Sequence, residues 1–305
     1  MRRGIYIFLL FLVLLSGCAK MSEAERANRA QEYYAQALRD YKEGDYGDAA
    51  WNLNEALKYM DYLTPKQIEN AKFLLAKSYY LDEEYVDAVV SLEDYIFYYP
   101  KLSRTEEAYY LLVDSYVKIA PDPYRDQEYT WKAIDKAKEF LSRFPKSGFA
   151  PKVQKLITEA YKKIAKHEYY IAKFYEDYGY TYSAALRYRE ILINFAQYVS
   201  EPEIAYRYIR CLLLTDRQVE LERDKIKNLI EETEDRLSSA EDEEEKKAIK
   251  NRLSFLRGEL KRWEEIGKRA QEEAMEAITK YKEVYGHTKY YRELEKILKE
   301  KGWKS

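Results

Sequence analysis

The chain has 305 residues, of which 35% are charged, yet its formal net charge is only -2. This balance argues against a nucleic-acid-binding protein, because such proteins carry a basic tail or stripe. The length suffices for one large or two small domains. Tyrosine is unusually frequent, with 33 residues.

The first element in the chain is a short basic and apolar leader. Arg2 and Arg3 precede an eleven-residue apolar run from Ile5 to Leu15. Because a membrane-spanning helix needs about 20 residues, this run predicts the hydrophobic segment of a secretory signal peptide.

The leader ends in Leu15-Ser16-Gly17-Cys18, which resembles the lipobox of bacterial lipoproteins. The resemblance implies a signal peptide over 1–17, and a lipidated linker over 18–23 with a diacylglycerol and usually a further acyl chain, such as palmitate, on Cys18. Ala19 in place of Asp favours the outer membrane by the enterobacterial sorting rule. We therefore expect a lipid-anchored outer-membrane protein that faces the periplasm. The alternative is an ordinary signal peptide with an incidental cysteine.

Nearly everything after residue 22 is predicted to be helical. Three segments match the capping box, in which Ser and Glu side chains satisfy free N–H groups at a helix start: Ser22-x-x-Glu25, Ser103-x-x-Glu106 and Ser200-x-x-Glu203. Thr64-Pro65 places an N-cap residue before a proline at the first helical position. Strand-like alternation is hard to find, so the fold class is all-α.

Alanines recur in pairs twelve residues apart, and an aromatic precedes each second alanine. The pairs are Ala37/Ala49, Ala76/Ala88 and Ala172/Ala184, and the aromatics are Tyr46, Tyr85 and Tyr182. This pattern resembles the tetratricopeptide repeat, whose small residues let two helices approach closely. We expect a solenoid of about five helix pairs, with repeats 1–3 in 24–148 and repeats 4–5 in 149–215. The third repeat carries an insertion, Ala120 to Gln127. A generic helical bundle is the alternative.

The stretch over 216–285 is charged and contains no proline. Its apolar residues alternate spacings of three and four, as in coiled coils; they are Ile226, Leu229, Thr233 and Leu237, then Ile249, Leu253, Leu256, Leu260 and Trp263. A polar segment over 238–248 separates the two sets. We expect an antiparallel coiled-coil hairpin, followed by a C-terminal helix within 286–305. One long helix through residue 285 is the alternative.

The sequence offers little for catalysis. His167 and His287 are the only histidines and stand far apart, so a zinc site is not expected. No glycine-rich phosphate loop occurs. We therefore predict a protein that is not an enzyme and needs no cofactor or metal. Cys211, among apolar neighbours, is expected to be a buried and inert thiol.

A binding role remains, because a solenoid presents a concave face built from the first helix of each repeat. The residues predicted to line this face are Tyr34, Tyr41, Phe73, Lys77, Tyr80, Tyr110 and Asp114. Aromatic rings with one cation would suit an extended peptide that ends in a carboxylate. The alternative is that these aromatics pack between helices.

The segment from Ile164 to Ala196 indicates one family among the tetratricopeptide-repeat proteins. It contains "AKHEYYIAKFYEDYG", which is similar to the "AKxEYxxAxxYxxRG" helix of the BamD family, the tetratricopeptide lipoproteins of the β-barrel assembly machinery. The resemblance covers Ala24 to Leu214, although Tyr178 stands where the family often has Arg and the arm over 216–285 has no counterpart.

This resemblance implies an adaptor with two kinds of partner. Its N-terminal groove would engage the C-terminal segments of unfolded outer-membrane proteins, and its C-terminal half would dock on the barrel-forming subunit. The arm would extend that docking surface or act as a strut. Two other functions stay open: a structural envelope scaffold, and an accessory subunit of a cell-wall enzyme.

Overall fold

The computed structural model describes residues 21–303, and this range folds into α-helices joined by short turns. The helices are α1 (Glu23–Glu43), α2 (Tyr46–Leu57), α3 (Pro65–Leu81), α4 (Tyr85–Tyr98), α5 (Thr105–Ile119), α6 (Glu128–Arg143), α7 (Ala150–Asp177), α8 (Thr181–Phe195), α9 (Glu201–Leu213), α10 (Thr215–Ser239), α11 (Glu243–Tyr285) and α12 (Lys289–Glu300). Consecutive helices pack as antiparallel pairs. The predicted all-α, tetratricopeptide-type fold is confirmed.

Two of the four predicted helix starts form as expected. Ser22 and Glu25 make a complete capping box, and Thr64 makes one with Gln67. Ser103 is not a cap, since α5 begins after Arg104. Ser200 precedes α9 but its hydroxyl accepts no capping bond, because the Glu203 amide donates to the Ser200 carbonyl oxygen at 3.0 Å instead.

The helices divide into two compact units. Unit 1 comprises residues 21–120 and 131–157, and unit 2 comprises 121–130 and 158–303. The domain limits expected at residues 148 and 215 stay predictions. The twelve-residue alanine pairs explain the close packing within each unit, because all six of these alanines are fully buried.

In unit 1 the core lies between helix pairs. Ala37, Ala50, Leu53, Ala71 and Leu75 form one cluster, where α1, α2 and α3 meet. Removing such a side chain from a packed core costs about 2–5 kcal/mol for Leu to Ala. This cluster therefore fixes the orientation of α1 relative to α3, the two helices that begin the predicted groove.

In unit 2 the last half of α11 packs against α9. Ala270, Ala274 and Ile278 are buried there, and the Tyr281 hydroxyl donates to the Pro202 carbonyl oxygen at 3.1 Å. The C-terminal half of α11 is thus part of the repeat core.

The first half of α11 pairs with α10, and the chain turns between them at residues 240–242. The predicted hairpin is confirmed. Ile226 and Thr233 on α10 and Ile249 and Leu253 on α11 are buried along this pair. The sequence predicts Leu229 in the seam, but this prediction is wrong, since the residue is 38% exposed. A two-helix seam is only one residue wide at each level, so residues 226, 230, 233 and 237, spaced four, three and four apart, occupy it.

Many of the tyrosines serve as long core residues with a polar end. Their rings pack between helices while their hydroxyls donate to carboxylates, which keeps the polar atom satisfied. Such pairs are Tyr95–Glu69 at 2.6 Å, Tyr116–Glu93 at 2.8 Å, Tyr188–Glu176 at 2.7 Å and Tyr285–Glu201 at 2.6 Å. The unusual tyrosine content therefore has a structural use throughout the chain.

Candidate peptide-binding groove

The seven residues predicted to line the groove all lie on α1, α3 and α5 of unit 1. Hydrogen bonds connect neighbouring helices along this row. Asn70 Nδ2 on α3 donates to the Tyr34 hydroxyl on α1 at 2.8 Å. Tyr80 on α3 donates to Asp114 Oδ2 on α5 at 2.5 Å. The structure thus places Tyr34, Tyr80 and Asp114 where neighbouring helices contact each other.

Lys77 lies half-buried at the middle of this row. Its ammonium group donates to Glu107 Oε1 at 2.7 Å. Burial lowers the Lys77 pKa, but the bond to Glu107 and the nearby Tyr41 outweigh it, so the pKa is raised. Lys77 is therefore fully charged at neutral pH, and a ligand carboxylate would share or displace the contact with Glu107.

Tyr80, Asp114 and Tyr110 form a second polar group one turn further along. Burial and the Asp114 carboxylate raise the pKa of Tyr80, and burial raises that of Tyr110. Both phenols are hence neutral hydrogen-bond donors at physiological pH. Asp114 itself is buried and orients the Tyr80 ring by accepting the hydrogen bond from its hydroxyl.

Phe73 differs from the expectation that its ring faces a ligand. Only 3% of the residue is exposed. Its ring packs against Tyr95 at 5.2 Å between centroids, and the Arg104 guanidinium lies 5.0 Å from its centroid. Phe73 and Asp114 are therefore core residues of this face, which leaves Tyr34, Tyr41, Lys77, Tyr80 and Tyr110 half-exposed. Peptide binding by these residues stays a prediction.

Two residues extend the row beyond those predicted. The Phe149 ring stacks on Tyr110 with centroids 5.1 Å apart and planes at 14°. The ammonium group of Lys152 lies 5.3 Å from the Tyr110 centroid. Both residues follow the sequence "SRFP", which ends a repeat. Their position at the start of the next helix is the feature of the sequence that could have identified them.

A repeated tyrosine pair flanks the turn of three helix hairpins. Tyr41–Tyr46, Tyr80–Tyr85 and Tyr175–Tyr180 make edge-to-face contacts with centroids 5.5, 5.8 and 6.3 Å apart. This five-residue spacing is visible in the sequence, although the pattern of paired alanines points to Tyr182 and not to Tyr180 in the third of these hairpins. These pairs hold Tyr41, Tyr80 and Tyr175 at a fixed angle to the turns that follow them.

Within residues 21–303 no cluster of His, Cys, Asp and Glu is arranged to hold a metal ion. None of the helices in this range is both long and apolar enough to cross a membrane. Cys18, the predicted lipidation site, lies outside the described residues.

The Cys211 thiol should react with Ellman's reagent only after the protein unfolds. Burial, reinforced by the Glu176 carboxylate, raises its pKa to about 12, and only the thiolate is reactive. At pH 8 about one thiol in 10,000 is then ionised. In a Cys18→Ser variant, where Cys211 is the remaining thiol, we expect no released thionitrobenzoate from the native protein and one equivalent in guanidinium chloride. Stoichiometric labelling of the native protein within minutes would contradict this assignment.

Comparison with known proteins gives consistent matches. A sequence model of YfiO, an outer membrane lipoprotein family, matches residues 26–226. A protein of Aquifex aeolicus, provisionally named outer membrane protein assembly factor BamD, is 56% identical over 97% of this chain and 96% of its own length. The outer membrane protein assembly factor BamD of Caulobacter vibrioides is 24% identical over 56% of this chain and 58% of its own length. The corresponding figures for that of Rickettsia prowazekii are 26%, 47% and 57%.

Proposed function

The chain belongs to the YfiO family of outer membrane lipoproteins, and from this we propose that it is an adaptor in the assembly of β-barrel outer-membrane proteins. The observation that carries the proposal is the likeness to the Aquifex assembly factor, which extends over 97% of the chain and so includes α10 and α11. An adaptor binds and positions other proteins and performs no chemistry of its own. The repeat architecture suits that role, since stacked helix pairs present extended surfaces.

The half-exposed face of α1, α3 and α5 is the proposed site for the clients. Tyr41, Tyr80 and Tyr110 offer ring faces along α1, α3 and α5, and Lys77 offers a cation among them. An unfolded barrel protein that ends in an aromatic residue has both an apolar side chain and a terminal carboxylate. Aromatic anchors of this kind commonly dominate peptide affinity.

Unit 2 is the proposed docking site for the barrel-forming subunit of the machinery. Its hairpin of α10 and α11 is joined to the repeat core through the C-terminal half of α11. A movement of the hairpin would therefore be transmitted to α9 through the packing of Ala270, Ala274 and Ile278. The hairpin adds a charged surface at which a partner could bind.

Depletion of the protein in its own bacterium tests the adaptor function directly. We expect folded outer-membrane barrels to disappear while inner-membrane proteins stay at normal levels. Altered cell shape with normal barrels would instead support an envelope scaffold, and a changed pattern of released wall fragments would support an accessory subunit of a wall enzyme. Re-expression of the wild-type chain is the control in each case.

Cys18→Ala should abolish lipid attachment. The thioether to diacylglycerol needs the cysteine sulfur, and the signal peptidase of lipoproteins acts on the modified residue. We expect no incorporation of labelled palmitate and accumulation of a precursor that retains residues 1–17. Ser16→Ala, a small-for-small replacement in the same box, is the matched control and should be labelled normally. Palmitate incorporation by Cys18→Ala would overturn the proposed anchor.

A further inference from the structure

The loops of unit 1 separate into two edges. Because its helices alternate in direction, residues 58–66, 99–104 and 144–149 lie at the edge where α1 begins. Residues 43–48 and 82–87 lie at the opposite edge. We name the first set the anchor edge and the second set the acidic edge.

Direct contacts hold the parts of the anchor edge together. Gln31 Nε2 on α1 donates to the Tyr62 carbonyl oxygen at 3.0 Å, and the Arg26 guanidinium lies 5.8 Å from the Tyr62 ring centroid. Arg143 Nη2, at the end of α6, donates to the Pro100 carbonyl oxygen at 3.2 Å. The beginning of α1 and the three loops therefore form one continuous border of unit 1.

The two edges carry opposite charge. The anchor edge contains five basic residues (Lys58, Lys66, Lys101, Arg104 and Lys146) and one acidic residue (Asp61), which gives +4. The first turns of α1, α5 and α7, which begin at this edge, add four acidic and two basic residues and reduce this to +2; they are Glu23, Glu25, Glu106 and Glu107, and Arg26 and Lys152. The acidic edge contains seven Asp or Glu residues and no Lys or Arg, which gives -7.

The basic groups of the anchor edge are largely available to a partner. Lys66, Lys101 and Lys146 are exposed, and within the described residues none of the three forms an ion pair. Lys58 pairs with the neighbouring Glu55. Binding of an anion to the three free ammonium groups would break no internal contact.

The anchor edge also exposes apolar side chains between its lysines. Met60 is 46% exposed and Leu102 is 45% exposed, and Tyr59 and Tyr62 lie half-buried beside Met60. Lysine, tyrosine and single apolar side chains in one border are the composition of a membrane–water interface, where aromatics lie at headgroup level and lysines reach phosphates.

The tether length brings this edge to the membrane if Cys18 is lipidated, as proposed above. Cys18 and Glu23 are five positions apart. An extended chain spans at most about 3.6 Å per residue, so the start of α1 stays within about 18 Å of the lipidated residue. The acidic edge lies a helix length away, at the other end of α1.

We propose that the anchor edge lies directly on the anionic phospholipid surface. Lys66, Lys101 and Lys146 contact lipid phosphates, and Met60 and Leu102 enter the interface. The acidic edge is repelled by the same surface and faces away from it. The acyl chains supply attachment, and this second contact fixes the orientation of unit 1, so that α1, α3 and α5 stand upright on the membrane.

Site-specific fluorescence on the lipidated full-length protein tests the orientation. Met60→Cys and Leu102→Cys are labelled with an environment-sensitive nitrobenzoxadiazole dye, since Cys18 is blocked by lipid and Cys211 is buried. Val86→Cys, at an exposed apolar position of the acidic edge, is the matched control. In vesicles containing phosphatidylglycerol we expect blue-shifted emission and quenching by a doxyl-labelled lipid at 60 and 102, and neither effect at 86.

A charge reversal tests the electrostatic part. Lys66→Glu with Lys101→Glu should reduce quenching at position 60 strongly, because each basic residue near an anionic surface strengthens binding about fivefold. Lys42→Glu with Lys118→Glu changes the net charge equally, away from the anchor edge, and should leave quenching unchanged. Loss of the effect in vesicles of phosphatidylcholine alone is also expected.

The possible failures are distinguishable. If the labelled protein does not cofloat with vesicles, the lipid anchor proposed for Cys18 is wrong, and this inference loses its premise and is rejected with it. If the protein cofloats but dyes at 60, 102 and 86 are equally solvent-exposed, the anchor stands and the orientation proposed here is refuted. Equal quenching in both charge-reversed pairs would refute the role of the lysines.

Discussion

Glu176→Gln should lower the free energy of unfolding of unit 2 by about 3 kcal/mol. Only 9% of the Glu176 side chain is exposed. Its carboxylate accepts from Arg207 Nη1 at 3.1 Å, from the Arg210 guanidinium, and from the Tyr188 hydroxyl at 2.7 Å. The amide keeps the shape of the side chain but removes the charge that compensates two partly buried guanidinium groups.

Hydrogen exchange of the α8 and α9 amides, measured at increasing concentrations of guanidinium chloride, would give the loss of stability of unit 2 separately from that of unit 1. Glu190→Gln is the matched control, because Glu190 is 56% exposed and its distance to Arg187 is 3.5 Å. Exposed pairs of this kind contribute less than about 1 kcal/mol. Equal destabilisation by the two substitutions would show that Glu176 is not the central acceptor of this network.

The helix pairs of the fold were predictable because their signals are local. Small residues at fixed spacing allow close approach wherever the chain places them, and Ala76 and Ala88 are both fully buried. A capping box is complete within four residues, so Ser22 and Thr64 behaved as expected. Ser103 did not, because the Thr105 hydroxyl bonds to the Tyr99 carbonyl oxygen at 2.6 Å and α5 begins there.

The exposure and the bonding partners of the groove residues were less predictable, because they depend on side chains from other helices. Lys77 finds Glu107 thirty positions later, at 2.7 Å. The register of α3 against α4 places the Phe73 ring on Tyr95 and covers it. The spacing rule identifies which residues point toward one face, but the depth of each depends on the neighbouring helices.

The carboxylate that each tyrosine contacts was unpredictable for the same reason, because it lies on a neighbouring helix. Tyr109, for example, donates to Glu139 Oε1 at 2.5 Å, across the pair of α5 and α6. Burial and this carboxylate raise the pKa of Tyr109 to about 12. A tyrosine in the sequence marks a half-buried position, whereas the acidic residue that completes it is one of many on the neighbouring helix.

Removal of two groove tyrosines should weaken binding of a peptide that ends in Phe by about 30-fold each, which corresponds to about 2 kcal/mol. The suitable variants are Tyr41→Ala and Tyr110→Ala, since both residues are half-exposed. Phe73→Ala is unsuitable, because loss of this buried ring is expected to destabilise unit 1 by about 3–5 kcal/mol.

Removal of the Lys77 charge should have an effect that differs from the loss of an aromatic ring. Lys77→Met keeps the length of the side chain but removes the charge, so it should abolish the preference for a free carboxylate over a C-terminal amide in the same peptide. Phe97→Ala, which removes a ring that is 77% exposed on α4 outside the groove, is the control and should leave both affinities unchanged. Isothermal titration with the two peptides measures each case, and circular dichroism confirms the fold. If Lys77→Met binds both peptides as the wild type does, the ammonium group serves only Glu107, and the carboxylate of a client must be recognised elsewhere.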